Sequence, residues 1–177
     1  MYYYSQQKHK VFISFYHYDD QWYKNYIDQY LSSGIINKSV MDGEYNPDNS
    51  DEYIKRLIRE EKVSSSSVVV VLVGPNTKKR KHVDWEIYAG LSGSINGSSG
   101  LIGVLLPEFP MEPNNRYYPA NLPARLADNV NSGYADIYTW DYFISHFMRI
   151  IDDAFKNRIE RKDKIDNSRL QMQRNLG

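Results

Sequence analysis

The sequence predicts an α/β fold: a flavodoxin-like, doubly wound parallel sheet of five strands flanked by helices. Three observations carry that expectation. The run Val68-Val69-Val70-Val71-Leu72-Val73, closed by Gly74-Pro75, is continuous, apolar and mostly β-branched, as in a strand buried on both faces. Shorter apolar runs at residues 10–15 and 101–106 have the same character. Segments with helical periodicity lie between them, and parallel neighbours require crossovers of that length.

The elements follow in order. Residues 10–15 form the first strand, after a polar leader at residues 1–9 that frays. Asp19 or Asp20 can cap the next helix, where Trp22, Tyr23, Tyr26, Ile27, Tyr30 and Leu31 recur at helical spacing until Gly34 stops it. Residues 35–42 make a weaker second strand. Asn49, Ser50, Asp51 and Glu52 have capping-box-like spacing before Tyr53, Ile54, Leu57 and Ile58, one face of a second helix. Residues 67–73 are the third strand. Val83, Ile87 and Leu91 form the inward stripe of a third helix, and residues 92–100 a Gly/Ser-rich connector. Residues 101–106 are the fourth strand, stopped by Pro107. The prolines and asparagines between 108 and 131 predict a long irregular segment. Residues 135–140 read as a short fifth strand, and Tyr142, Phe143, Phe147, Ile150, Ile151 and Phe155 as a last amphipathic helix. The single domain spans 10–155. The charged stretch 156–177 is expected to be a helical extension or tail, protruding or disordered, whose removal leaves the fold intact.

Composition excludes several functions. With 22 Lys plus Arg against 22 Asp plus Glu, there is no basic footprint for nucleic acid. The chain has no cysteine, so disulfides and thiolate zinc sites are ruled out; the four histidines, His9, His17, His82 and His146, are scattered, and no metal is expected. Neither a signal peptide nor a membrane-length apolar run occurs, and a soluble, cytoplasmic protein is expected. Glycine-rich dinucleotide and Walker phosphate motifs are missing; Gly93, Gly97 and Gly100 fall between a helix and a strand, where they read as connector.

The expected strand order 2-1-3-4-5 puts the topological switch point between strands one and three. Ser14, Phe15, Tyr16 and His17 wall that crevice on one side, Gly74, Pro75, Asn76 and Thr77 on the other. A phospho-acceptor receiver shares this topology but needs an aspartate at the end of strand three, where this chain has Gly74-Pro75-Asn76. On the following helix His82 and Glu86 share one side, between Val83 and Ile87 and between Trp85 and Ala89. A carboxylate so placed is poorly solvated and available to a ligand. The residues leave a second reading open: a rim glutamate paired with a lysine of Lys78-Lys79-Arg80-Lys81, and His82 as a partly exposed, hydrogen-bonded residue at a helix start.

The stretches 11–20, 69–77, 83–87 and 101–104, in that order, resemble the TIR-like domains of the bacterial Thoeris antiphage system, typified by ThsB, from about residue 10 to 155. The resemblance implies a TIR-like fold and cleavage of the nicotinamide glycosidic bond of NAD+, with NAD+ as substrate rather than a permanently bound cofactor. It also implies an ADP-ribose-derived, cyclic signalling nucleotide that activates a separate effector protein, with a phage component as trigger. The family's catalytic glutamate matches Glu86, and where many TIR enzymes carry a tryptophan four residues earlier this chain has His82. In that setting Phe15 and Tyr16 would offer ring-stacking surface, Ser14 and the amides near Gly74 would approach phosphate or ribose oxygens, and Asp42 with the 43–48 loop would form the pocket's mobile side. Many TIR domains are non-enzymatic sensors or scaffolds. The long loop, the tail and a homo-oligomer would then carry protein–protein contacts.

Overall fold

The computed structural model describes residues 7–39, 52–93 and 97–177. Its elements are β1 (Lys10–Ser14), α1 (His17–Tyr30), β2 (Ile36–Asn37), α2 (Glu52–Ser64), β3 (Val68–Val73), α3 (Lys81–Leu91), β4 (Gly100–Leu105), α4 (Ala124–Asn131), β5 (Asp136–Thr139), α5 (Trp140–Ser145) and α6 (Phe147–Glu160). All five strands are parallel, in the order β2-β1-β3-β4-β5, as the sequence predicts.

Alternation along the strands sorts two cores. Val11, Ile13 and Phe15 face the side covered by α1, α5 and α6, with Val68, Val70 and Leu72 of β3 and with Tyr23, Ile27, Phe143, Ile150 and Ile151. Phe12, Val69, Val71 and Val73 face the other side, packed on Val63 of α2, Val83 and Ile87 of α3 and Leu126 of α4. Every residue of β3 and β4 is buried, so neither strand has a solvated face and neither shows polar alternation. At roughly 1.5–3 kcal/mol for each buried aliphatic side chain, β3 is the chief apolar contribution of any single strand. Ser14 has the parity of Phe12 and points toward α2 and α3.

Several elements differ from the sequence expectation. Helix α1 starts at His17 with Tyr16 in the N-cap position and no side-chain cap among the described residues; Asp19 and Asp20 lie inside its first turn. Asp20 is buried against the Gly74 turn instead. The second strand is only two residues long, and Asp42, Tyr45 and the 43–48 loop lie outside the described residues. The stretch after Pro107 is irregular as far as Leu122, but α4 follows Pro123 and buries Leu126, Arg125 and Asn129. Short helices with polar buried residues leave little apolar periodicity to detect. The last helix is broken at His146, whose backbone (φ −126°, ψ 26°) leaves the helical region; the apolar spacing of Phe143, Phe147 and Ile150 runs across the break and conceals it.

Residues 156–160 continue α6, and the helix ends there. Beyond Glu160 a short turn, Lys162–Lys164, leads into an irregular strap that returns along α4 and α3. Asp166 and Asn129 exchange two hydrogen bonds of 2.8 and 2.9 Å, the Trp85 Nε1–H donates to Met172 O at 2.8 Å, and Leu176 N donates to Lys79 O at 2.9 Å. Below the strap, Arg125 Nε donates to Asp84 Oδ1 at 2.9 Å in a buried pair, and Met172 N donates to Asp84 Oδ2 at 2.8 Å. A tail poor in apolar residues is held here by polar partners that hydropathy does not register. No helix among the described residues is long and apolar enough to cross a membrane.

Candidate functional site

Four backbone segments meet at the C-terminal edge of β1: the end of β1, the start of α1, the start of α3 and the middle of α2. Glu86, on the second turn of α3, is only 4% exposed. Its Oε2 accepts a short hydrogen bond from the Ser14 hydroxyl, and its Oε1 accepts from Arg59 Nη1 at 2.9 Å. Parity along β1 delivers Ser14 to this face, and the spacing Arg59 to Val63 places the guanidinium on the buried stripe of α2. Glu86 is thus neither at the rim nor paired with a lysine of the 78–81 run. Its partner is an arginine 27 residues earlier in the chain.

Two imidazoles complete the wall. The His82 Nε2 lies 3.0 Å from Phe15 O; a carbonyl only accepts, so Nε2 carries the proton and Nδ1 is the acceptor nitrogen of the neutral ring. His17 Nε2 lies 3.4 Å from Arg59 Nη2, and the two rings are 6.1 Å apart between centroids. Burial, and then the Arg59 charge, hold His17 below its usual value. Burial lowers His82 too, with Glu86 opposing and Arg59 adding to the effect. Both rings are therefore neutral at neutral pH.

The other expected site residues take distinct places. Phe15 contributes its carbonyl, while its ring is buried on the opposite face of the sheet and contacts His17 at 4.2 Å between centroids. Tyr16 carries the Arg80 guanidinium over its ring at 4.3 Å. The Gly74 N–H donates to Thr77 Oγ1 at 2.8 Å, so this amide already serves its own turn. A Cβ at Gly74 would lie 2.9 Å from both carboxylate oxygens of Asp20, so any side chain there would require that carboxylate to shift. Ser14, Phe15, His82 and Glu86 come together; Tyr16 follows Phe15 in the chain and lies under Arg80; Gly74 lies against Asp20 instead; Asp42 lies outside the described residues. Arg59 was not legible as a site residue, although its spacing four before Val63 was the available signal. Among the described residues no cluster of three His, Cys, Asp or Glu could hold a metal ion.

A five-stranded parallel sheet in this order, with a buried glutamate on the helix after β3 facing the end of β1, defines a doubly wound, flavodoxin-like α/β protein with a carboxylate at its switch-point edge. Residues 12–109 match the family described as Thoeris protein ThsB, TIR-like domain, and the chain belongs to that family, part of Thoeris antiphage defence. Among solved structures it is similar to a chain of the activated Roq1 resistosome directly recognizing the pathogen effector XopQ (TIR domains). That similarity covers 89% of this chain and 84% of the other, at 13% identity and a TM-score of 0.45. No curated protein matches the sequence.

Proposed function

We propose that the chain processes NAD+, cleaving the nicotinamide–ribose bond and converting the ADP-ribose part into a cyclic signalling nucleotide that activates a separate effector protein. The supporting observation is Glu86: a buried carboxylate at the switch-point edge of a chain from the ThsB TIR-like family. In this reading the C1′–N1 bond breaks heterolytically and its electron pair returns to the pyridinium ring, so nicotinamide leaves neutral and needs no proton. The ribose carries the positive charge as an oxocarbenium ion, which a carboxylate in a poorly solvated site stabilises strongly. Attack by water at C1′ would yield ADP-ribose and release one proton; attack by a nucleophile of the same ADP-ribose would close a ring. In this reading His82 Nδ1, left as the acceptor nitrogen by the Phe15 contact, takes that proton.

A second reading, a non-enzymatic interaction module, is favoured by one observation: Tyr18, Trp22 and Tyr30 are 87%, 63% and 61% exposed along α1. Nucleotide profiles of cells expressing wild type or Glu86→Gln, taken by mass spectrometry before and after phage infection, separate the two. Loss of NAD+ and appearance of an ADP-ribose derivative in wild type alone supports the enzyme. Identical profiles with defence intact support the module.

A further inference from the structure

We propose that Arg59 is a specificity residue that exchanges partners, leaving Glu86 for the diphosphate of the incoming dinucleotide with Arg80 as a second donor. The proposal rests on the NAD reading above and adds to it how a phosphorylated substrate is told from a nucleoside. As the structure stands, both carboxylate oxygens of Glu86 are engaged: Arg59 holds Oε1 and Ser14 holds Oε2, leaving one lone pair on each. A ribose diol needs carboxylate oxygens as acceptors. Moreover, a carboxylate neutralised by a guanidinium at 2.9 Å stabilises a developing cation poorly. A group that drew Arg59 away would restore the carboxylate's field at the ribose.

A diphosphate is suited to do so, because the planar guanidinium fork matches phosphate oxygens as well as it matches a carboxylate. The local charge favours an anion. Arg59 and Arg80 both act on His82, against the single carboxylate Glu86, and both imidazoles are held neutral. Of the basic run, Arg80 lies against the crevice over Tyr16, and its buried Nε has no hydrogen-bond partner among the described residues. Lys78 is turned away to Ala120 O and Asn121 Oδ1, and Lys81 lies over Trp85. With Arg59 on the diphosphate, Glu86 recovers its full charge and an acceptor oxygen beside the ribose. Substrate binding thereby switches on the carboxylate.

The test is binding of NAD+, ADP-ribose and nicotinamide riboside to the purified full chain by calorimetry, in wild type, Arg59→Gln, Arg59→Lys and Arg80→Gln. Wild type is expected to prefer the two diphosphates over the riboside. Arg59→Gln should reduce that preference roughly 10- to 100-fold while riboside affinity holds or rises, and Arg80→Gln should reduce it less. Arg59→Lys, keeping the charge without the fork, should fall between. Since Arg59→Gln leaves Glu86 buried without its cation, the double variant Arg59→Gln/Glu86→Gln, neutral and foldable, should show the same loss of preference. An equal loss for all three ligands, or none, would mean that Arg59 only holds Glu86, and the proposal falls while the NAD reading stands. Wild type that binds none of the three overturns both.

Discussion

Two buried carboxylates flank the same sheet edge, and they are treated in opposite ways. On the α3 side Glu86 is 4% exposed and has a guanidinium and a hydroxyl as partners. On the α1 side Asp20 is 3% exposed, lies against the Gly74 turn, and its Oδ2 has no partner among the described residues. Burial first, then the neighbouring Asp19 and Glu108 charges, push Asp20 up to about 7. Glu108 itself accepts from the Tyr23 hydroxyl at 2.6 Å, so no cation on that side compensates Asp20 among the contacts described. Equal burial does not fix the charge of a carboxylate; its partners do. Asp20, without a cation among the contacts described, titrates near neutrality and weakens the fold when it ionises.

The comparison is broken most severely at Glu86. Glu86→Gln, isosteric but uncharged, is expected to lower NAD+ consumption by about 10³-fold with the circular dichroism spectrum unchanged, read by mass spectrometry of infected cells. A third buried carboxylate, Asp84, extends it to the far side of α3. Asp84→Ala strands the buried Arg125 and frees the Met172 amide, and should cost about 3–5 kcal/mol in urea denaturation. Deleting 165–177 removes partners of Asp84, Trp85 and Asn129, and on the order of 2–4 kcal/mol should be lost by the same measurement. Retention of wild-type stability by the truncated chain would show the strap to be decoration.

Asp20 gives the pH test. Its native value lies above the unfolded one, so its favourable contribution is complete below about pH 4 and is lost as pH rises toward 7. Asp20→Asn should therefore match wild type near pH 4 and exceed it by about 1–3 kcal/mol at pH 8, in denaturation midpoints taken at both values. The smallest effect is expected at Lys79→Ala, within about 0.5 kcal/mol, because Glu86 takes no partner from the lysine run.

Much of the fold was legible in the sequence. The β3 run, the Val83/Ile87/Leu91 stripe and the Pro107 stop are local signals, and a parallel sheet with crossover helices admits few orders. Glu86 could be singled out because the helix following β3 must begin at the switch-point edge. The α4 helix and the course of the strap were not legible, since buried polar contacts hold them and the apolar pattern does not record these; the break at His146 was hidden because the apolar spacing runs across it.

The sequence by itself determined the α/β class, the strand order and the helix that carries the carboxylate, because periodicity and chain connectivity are properties of neighbours along the chain. Only the tertiary structure decided that Arg59 reaches Glu86 across 27 positions, that Phe15 offers its carbonyl and not its ring, and that Asp20 stands without a cation. Those are facts of electrostatics at distances of about 3 Å between residues far apart in the chain. No one-dimensional pattern encodes them.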